Sequence, residues 1–282
     1  MLENSFIHLP GIGPDTEERL WNEGLRSWDE LSERVDQIFS GKKALKVAMA
    51  IEESRAAVMA REFNYFQGRF KGAEMWRVLP AILKSSPDEI AYLDIETTGL
   101  GFPPKCKSTT IAVYYNGQLF LEHDHFRKKA LLEEIDQKAK LIVSFNGSTF
   151  DLPFLRREFG LKLSQAHVDL RFWLANLGFR GGLKAIQKSF PDLHQRDSMD
   201  IDGFDAVRLW SLHKKGVPNA LETLLTYNAE DALVLEPLLY EGLELEQQKR
   251  PHMTWGVFKA PPLPEIPYQV CPHIYRMLRR GS

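Results

Sequence analysis

The chain contains only two cysteines among 282 residues, and they form no C-x-x-C pair. Neither a disulfide framework nor a structural zinc site is therefore indicated, and we expect both thiols to be reduced. No apolar run approaches the roughly 20 residues that span a bilayer. Glu3 stands where a secretory signal would carry basic charge. These absences predict a protein that stays in the cytoplasm.

The sequence also lacks a large excess of charge of either sign, since its formal net charge is −2. Nucleic-acid binding usually depends on positive potential, and the total charge gives no sign of it. Basic residues are instead gathered in short clusters such as Arg69 to Arg77, Lys105-Lys107 and Arg127-Lys128-Lys129. A solvated helix face explains each cluster as well as a binding surface does. Apolar residues at 44% and charged residues at 26% are typical of a globular protein.

We predict three parts, because the chain exceeds the usual 100 to 200 residues of one domain. Residues 1–78 form a helical part, 79–250 an α/β part and 251–282 a proline-rich, basic extension. The α/β part reads as three antiparallel strands, a helix, a strand, a helix, a strand and then helices. Asn116-Gly117 between two β-rich runs predicts a hairpin. The extension should be extended rather than helical because of its prolines.

Two helices of the first part can be predicted in detail. One follows a turn at Leu9 to Pro14, with Asp15 or Thr16 as its cap and Gly24 at its end. The other runs from about residue 44 to 61. Its predicted buried stripe consists of Leu45, Ala48, Met49, Ile51, Ala56 and Met59.

Two acidic residues stand at the end of the first predicted strand. Asp94 and Glu96 are two positions apart, so both side chains leave the same face of the sheet. Adjacent carboxylates repel each other unless a cation compensates them, and oxygen-rich clusters suit Mg²⁺ or Mn²⁺. Acids at an exposed strand end would be the structural alternative.

Three further residues extend this pattern. Asp151 falls in the first turn of a helix, where an acid also favours the helix dipole. Tyr227 and Asp231 are four apart on a predicted helix and therefore share one face. Glu230 lies about 100° round that helix, and we expect it to face solvent.

These three segments resemble a known family. The segments Asp94-Ile-Glu-Thr-Thr-Gly-Leu100, Asn146 to Asp151 and Tyr227-x-x-x-Asp231 are similar to the three exonuclease motifs of the DEDD superfamily. Tyrosine at 227 and Thr226 in the place of a histidine indicate its tyrosine-bearing (DEDDy) branch. The Asn146 segment resembles the proofreading domain of family B DNA polymerases. Three segments (Gly182-Leu-Lys-Ala-Ile, Asp200-Ile-Asp-Gly-Phe-Asp-Ala-Val, and Ala220 to Asp231) resemble YprB-type ribonuclease H-like proteins.

The resemblance covers about residues 88 to 245 and implies a ribonuclease H-like fold. It further implies a 3′ to 5′ exonuclease that uses two metal ions, Mg²⁺ or Mn²⁺, on DNA or RNA. Asp94, Glu96, Asp151 and Asp231 would be metal ligands, and Tyr227 would position or deprotonate the attacking water. The nucleic-acid contacts that it implies are Thr97, Thr98, Gly99, Leu100, Asn146 and Phe150.

The turn at Leu9-Pro-Gly-Ile-Gly13 resembles a helix-hairpin-helix motif. In such a motif the backbone N–H groups at Gly11 and Gly13 would hold a phosphate. The acidic residues that follow, Asp15, Glu17 and Glu18, oppose that role, and a simple tight turn is the alternative.

Two other acidic groups have structural explanations. For Asp169, after a predicted strand, we expect a hydrogen-bonding role. His123, Asp124 and His125 are expected to be exposed polar residues at a hairpin end rather than metal ligands. Trp21, Trp28 and Trp76 could stack on bases, but core packing is the expected fate of tryptophan.

Three functions remain open from the sequence. An exonuclease best explains the intact acids. A nucleic-acid-binding adaptor that has lost catalysis would have no need of clustered carboxylates. A structure-specific endonuclease on the same fold would also use the motifs. The choice between DNA and RNA, the protein partners and the oligomeric state stay open.

Overall fold

A five-stranded sheet forms the centre of the protein in the computed structural model, which describes residues 2–191, 193 and 201–280. The strands are β1 (Ile90–Thr97), β2 (Ser108–Tyr115), β3 (Gln118–Glu122), β4 (Leu141–Ser144) and β5 (Ala166–Asp169). Their order is β3-β2-β1-β4-β5. Strands β1, β2 and β3 pair antiparallel, whereas β4 and β5 run parallel to β1. The predicted mixed sheet, with three antiparallel strands followed by parallel ones, is confirmed.

Helices surround the sheet and precede it in the chain. Those among the described residues are α1 (Pro14–Asn22), α2 (Trp28–Glu33), α3 (Val35–Ile38), α4 (Gly41–Met59), α5 (Leu79–Ser85), α6 (His125–Lys138), α7 (Asp151–Phe159), α8 (Leu170–Asn176), α9 (Leu183–Gln187), α10 (Gly203–Lys214), α11 (Ala220–Leu233), α12 (Leu235–Lys249) and α13 (Pro272–Arg280). Short 3₁₀ turns link α4 to α5 at Phe63–Phe66 and Gly72–Val78. None of these helices is long and apolar enough to cross a membrane.

The direction of the strands brings several chain segments to one edge of the sheet. Because β3 runs antiparallel to β2, it runs in the same direction as β1. Strands β1, β3, β4 and β5 therefore all end at one edge, where β2 begins. We call this the C-terminal edge. In parallel sheets, ligands usually bind at this edge.

The two faces of β1 have different neighbours. Leu93 and Ile95 share a buried cluster with Leu132 of α6 and Phe154 of α7. The alternate residues, which include Asp94 and Glu96, leave the opposite face. Helix α11 packs across this opposite face against β1 and β2. The acidic residues of β1 thus lie between the sheet and a helix.

A second core joins the amino-terminal helices to the sheet. It contains apolar side chains from Leu2 through Val78, the strand residues Tyr92 and Val143, and Trp255 near the carboxyl end. Trp21, Trp28 and Trp76 are buried in this core, so they pack rather than stack on bases, as expected. One core therefore crosses the predicted divisions at residues 78 and 250, and the three-part division stays a prediction.

The detailed predictions for the first helices are only partly confirmed. Gly24, with a φ of 86°, follows the end of α1 as predicted, and Ile51 of the predicted stripe in α4 is buried. Helix α1 begins at Pro14 with Gly13 as its N-cap, so neither Asp15 nor Thr16 caps it. In α4, Leu45, Met49 and Met59 are exposed. The residues that α4 buries are Ala44, Val47, Ile51, Ser54 and Ala57. Bulky aromatic side chains of the neighbouring segment Phe63–Phe66 fill that interface, which favours small side chains on α4.

The carboxyl-terminal extension is only partly extended. Residues 251–271 have no regular helix or strand, but Pro272–Arg280 forms α13, which the proline content did not predict. Pro272 is the first residue of this helix, a position that proline favours. Ile274 and Leu278, four apart, are buried against Leu209, Leu224 and other apolar residues of α10 and α11. Burial of this apolar face explains the helix.

Candidate metal centre

Three carboxylates meet at the C-terminal edge of the sheet. Asp94 and Glu96 extend from β1, and Asp231 comes from the last part of α11. One oxygen of each lies within 4.8 Å of the others. Glu96 is 9% exposed and Asp231 7%, whereas Asp94 is half-buried. Among the described residues, no other group of three or more histidine, cysteine or acidic side chains comes together in this way.

The charges of this group repel one another. Burial raises the pKa of Asp94 well above its ordinary value, and the nearby charges of Asp231, Asp151 and Glu96 raise it further. Burial, Asp231 and Asp151 also raise the pKa of Glu96 well above its ordinary value, while Lys184 acts in the opposite direction. Protonation or a bound cation would relieve this repulsion.

Asp151 lies beside the three-carboxylate group. It is the first residue of α7 and is 5% exposed. Its Oδ1 accepts a hydrogen bond from the backbone N–H of Ile95 at 3.3 Å. Burial raises its pKa to about 7, although hydrogen bonds from backbone N–H groups act against that increase. The structure therefore brings together all four predicted acids, with Asp151 at one side.

A tight turn between β4 and α7 places Asp151. Asn146 has a φ of 68°, in the left-handed region that asparagine tolerates. A Cβ atom at Gly147 would lie 2.1 Å from Oγ of Ser144, so only glycine fits here. Ser148 does not cap α7, because its N–H and hydroxyl both bond Asp169.

The carboxylate of Asp169 holds this turn in place through hydrogen bonds. Its carboxylate accepts hydrogen bonds from the N–H groups of Asn146 at 2.7 Å and Ser148 at 3.0 Å. It also accepts bonds from the Ser148 hydroxyl at 2.5 Å and the N–H of Arg171 at 3.2 Å. The expected hydrogen-bonding role of Asp169 is confirmed.

Replacing Asp169 by alanine should lower the free energy of unfolding by about 2 to 3 kcal/mol, because buried donors lose a charged acceptor. Urea unfolding followed by circular dichroism measures this. Asp202→Ala is a matched control, since Asp202 is an exposed N-cap whose side chain accepts from the N–H of Asp205 at 2.8 Å. Its loss should cost about 1 kcal/mol. Equal losses in the two variants would contradict the role of Asp169.

Tyr227 lies within the carboxylate group. It is 6% exposed, and its hydroxyl is hydrogen bonded to Asp231. Burial, followed by the charges of Asp231, Glu96 and Asp94, raises the pKa of this hydroxyl far above its ordinary value. In this environment the phenol stays protonated and acts as a hydrogen-bond donor.

Two neighbours of the group were missed by the sequence reasoning. Nδ2 of Asn228 donates to Oδ2 of Asp94 at 2.6 Å. Nζ of Lys184 lies 4.6 Å from the centre of the Tyr227 ring and also donates to the backbone oxygen of Ile201. Lys184 falls in the Gly182-Leu-Lys-Ala-Ile segment that carried the family resemblance. That segment was the one signal that could have identified it.

Glu230 is buried rather than facing solvent, so that prediction was wrong. It is 7% exposed and lines a cavity of about 680 Å³ between α11 and the extension, together with Leu263, Ile266 and others. The extension covers the side of α11 that would otherwise be exposed. A helical wheel of α11 alone contains no information about that cover.

The predicted nucleic-acid contacts fall into two places. Residues 97–100 follow β1, and Leu100 is 96% exposed there, while the Thr97 hydroxyl donates to the oxygen of Gly99 at 2.7 Å. Asn146 and Phe150 precede Asp151, so both segments lie at the C-terminal edge. Gly11 and Gly13 are exposed in the amino-terminal part, where Nζ of Lys43 donates to the Gly11 oxygen at 3.1 Å. Glu17 is buried and paired with Arg77, so it does not oppose a phosphate at this turn. The helix-hairpin-helix role stays a prediction.

Of two other predicted groups, one has the expected structural role and the other lies partly outside the described residues. Asp124 is the N-cap of α6 and accepts from the N–H groups of Phe126 and Arg127. The predicted segment from Asp200 to Val207 begins outside the described residues, since Asp200 is not among them.

The donor set fits a hard divalent cation. Its close members are carboxylate oxygens without a histidine or thiolate, which is the chemistry that Mg²⁺ and Mn²⁺ prefer. Raised pKa values at Asp94 and Glu96 show that the folded chain holds these charges together at a cost. A cation would offset that cost. The residues present therefore fit a metal site.

Comparison with known proteins places this arrangement in a family. Residues 91–242, more than half of the chain, match the RNase H superfamily. The chain belongs to the RNase H superfamily. The matched region contains the four acids and Tyr227. The crystal structure of the Aedes aegypti Nibbler EXO domain is similar to this RNase H-superfamily chain with 12% identity and a TM-score of 0.36, over 73% of this chain and 90% of that one. Similarity at that level carries no argument about activity. A search of curated proteins gives no match.

Proposed function

We propose that the protein is a 3′ to 5′ exonuclease that hydrolyses phosphodiester bonds of DNA or RNA with two divalent metal ions, Mg²⁺ or Mn²⁺. The observation that carries the proposal is the buried group of Asp94, Glu96 and Asp231, whose oxygens lie within 4.8 Å of one another. In a protein that only bound nucleic acid, these carboxylates would repel the phosphates and weaken binding. Membership of the RNase H superfamily supports a nuclease.

Asp94, Glu96 and Asp231 would hold one metal ion, and Asp94 with Asp151 the other. When bound, such ions stabilise the charge that develops on the attacking and leaving oxygens of an in-line displacement. Asn228 fixes one oxygen of Asp94 through its 2.6 Å hydrogen bond, which leaves the second oxygen for a ligand. Asp151 is fixed by the N–H of Ile95 in the same way.

Tyr227 would position the attacking water through its hydroxyl. The protonated phenol is a hydrogen-bond donor, so we assign it positioning rather than proton abstraction. Lys184, over the face of the Tyr227 ring, restricts where the ring can lie and adds a positive charge near Glu96. Both residues act on geometry at the reacting centre.

The proposal is tested with 5′-labelled single- and double-stranded DNA and RNA, with Mn²⁺ and with EDTA. We expect products that shorten from the 3′ end and that disappear with EDTA. A circular single-stranded DNA offers no 3′ end and should survive. Cleavage of the circle would show an endonuclease instead. Binding without cleavage of any polymer would show an adaptor.

Tyr227→Phe should lower kcat by about 10- to 100-fold with little change in KM, because loss of the hydroxyl misplaces the water but removes no substrate contact. Steady-state cleavage of a labelled oligonucleotide measures both constants. Tyr268→Phe, at an exposed site on the extension, is the matched control and should leave them unchanged. A change confined to KM would contradict the positioning role of Tyr227.

A further inference from the structure

An exposed surface of basic and aromatic residues adjoins the candidate metal centre. Its residues come from the segment after β1, the start of α6 and the end of α7. We call it the basic-aromatic face, and its members are Leu100, Phe102, Lys105, Lys107, Phe126, Arg127 and Arg157. We infer that this face binds the single-stranded 3′ segment of a nucleic acid and guides it to the carboxylates. This inference rests on the proposed function.

The face is continuous with the metal centre through direct contacts. Phe150 immediately precedes Asp151, and its ring lies 5.7 Å from that of Phe102. The guanidinium of Arg157 lies 4.5 Å from the centre of the Phe102 ring. Helix α7 has nine residues, which is about 13 Å at 1.5 Å per residue. That helix therefore connects Asp151 directly to the basic end of the face.

The rest of the face is held at the same edge of the sheet. Thr98 and Lys107 are joined by two hydrogen bonds, at 2.9 Å and 3.1 Å. Nζ of the buried Lys128 donates to Ser108 at the start of β2, which fixes the first turn of α6. His125 stacks on Phe159 at the end of α7, with 5.2 Å between ring centres. Phe126 and Arg127 are thereby placed beside the segment 98–107.

The charge of the face suits a polyanion. Lys105, Lys107, Arg127 and Arg157 are exposed, and none takes part in the ion pairs formed among the described residues. Two neighbouring acids, Glu158 and Asp124, are already engaged within the protein. Glu158 accepts from the N–H of Ser108 at 3.0 Å, and Asp124 caps α6. Four cations are therefore left to meet phosphates.

The apolar members indicate unpaired bases. Phe126 is 80% exposed and Leu100 is 96% exposed, so neither side chain contributes to the core of the protein. Exposed aromatic rings between cations are the arrangement that binds single strands, because every base has a face that can stack. A duplex keeps its bases stacked inside and offers these side chains no such partner.

The test measures binding of fluorescein-labelled 20-nucleotide single strands of DNA and RNA, and of a duplex, by anisotropy. The protein is the full chain with Asp94→Asn and Mg²⁺, so that cleavage does not interfere. Adding Lys105→Gln, Lys107→Gln and Arg157→Gln should weaken single-strand binding at least about tenfold. The slope of log Kd against log salt should fall by about 2, since each phosphate contact to a single strand contributes about 0.7.

The control replaces three exposed lysines elsewhere, Lys84→Gln, Lys215→Gln and Lys259→Gln, and alters the net charge equally. It should bind like the parent. Phe126→Ala should weaken binding about fivefold or more, whereas Met59→Ala, at an equally exposed site, should not. Equal losses in the two triple variants, no loss in either, or tighter binding of the duplex would overturn the inference.

Binding and cleavage remain separable in this design. With Asp94 restored, the Lys105, Lys107 and Arg157 replacements should raise KM and leave kcat nearly unchanged, because these residues lie away from the reacting centre. If wild-type protein cleaved no polymer while the triple variant still lost binding, the proposed exonuclease would fail and the face would stand. If the wild type cleaved the substrate and the triple variant bound it normally, only the inference about the face would be rejected.

Discussion

Asp94→Asn should lower metal-dependent cleavage by about 10³-fold or more and, at the same time, raise the melting temperature of the protein in EDTA. The loss follows because stabilisation of the transition state by metal ions amounts to several kcal/mol, and each 1.4 kcal/mol is a factor of ten. The gain follows because Asp94 is held next to Asp231, Asp151 and Glu96. Asparagine keeps the shape of the side chain and can still accept from Asn228.

The stability of the protein in EDTA should also depend on pH. A carboxyl group whose pKa is higher in the folded than in the unfolded chain binds protons preferentially in the folded state, so its contribution to stability falls as the pH rises. For Asp151 the pKa increases from 3.8 to about 7. Stability in EDTA should therefore decline between about pH 4 and pH 7 because of this group. Mn²⁺ should restore it at neutral pH.

Differential scanning fluorimetry with and without Mn²⁺ measures these effects. We expect Mn²⁺ to raise the melting temperature of the wild type and to have much less effect on Asp94→Asn. Asp36→Asn is the control, since Asp36 is exposed on α3, far in sequence from the motifs. A lower melting temperature for Asp94→Asn than for the wild type in EDTA would show that the carboxylates do not repel one another.

The largest effect on folding is expected at the buried ion pair of Glu17 and Arg77. Arg77 is 2% exposed and Glu17 is 2% exposed, and an Nη of Arg77 lies 3.0 Å from Oε2 of Glu17. Oε1 of Glu17 also accepts from the N–H groups of Phe6 at 2.6 Å and Ile7 at 3.1 Å. The pair therefore joins α1, the first residues of the chain and the segment before α5.

Arg77→Ala should lower the free energy of unfolding by about 3 to 5 kcal/mol, because it leaves the buried charge of Glu17 without this cation. Glu17→Ala should cost less, because Arg77 keeps its ion pair with Glu74 at 2.7 Å. Urea denaturation gives this value. The double variant Glu17→Ala, Arg77→Ala should lose less than the sum of the two single losses. Additive losses would show that the two side chains are not coupled. Arg19→Ala, which breaks an exposed pair with Glu23, should change stability by less than about 1 kcal/mol.

Local patterns in the sequence predicted the sheet and the acidic residues of the candidate metal centre. The strand spacing of Asp94 and Glu96 and the helical spacing of Tyr227 and Asp231 are properties of neighbouring residues, and the structure keeps both. The Asn116-Gly117 turn likewise needs only two residues, and β2 and β3 meet there. These features need no knowledge of distant contacts.

Features that depend on distant contacts were not predictable in the same way. The burial of Glu230 depends on residues 263–269. Helix α13 depends on an apolar surface of α10 and α11, and its own sequence begins in a proline-rich stretch. The hydrogen bond from Asn228 to Asp94 joins residues 134 positions apart. A period of 3.6 residues specifies which side chains share a face, but not what that face will meet.

The contacts of α13 also have a consequence for the order of synthesis. Ile274 and Leu278 share a buried cluster with Tyr227, and the N–H of Cys271 donates to the Thr223 hydroxyl on the same helix as Tyr227 and Asp231. All residues of the carboxylate group are translated before this support exists. A growing chain therefore cannot complete the packing behind Tyr227 until translation has passed Leu278.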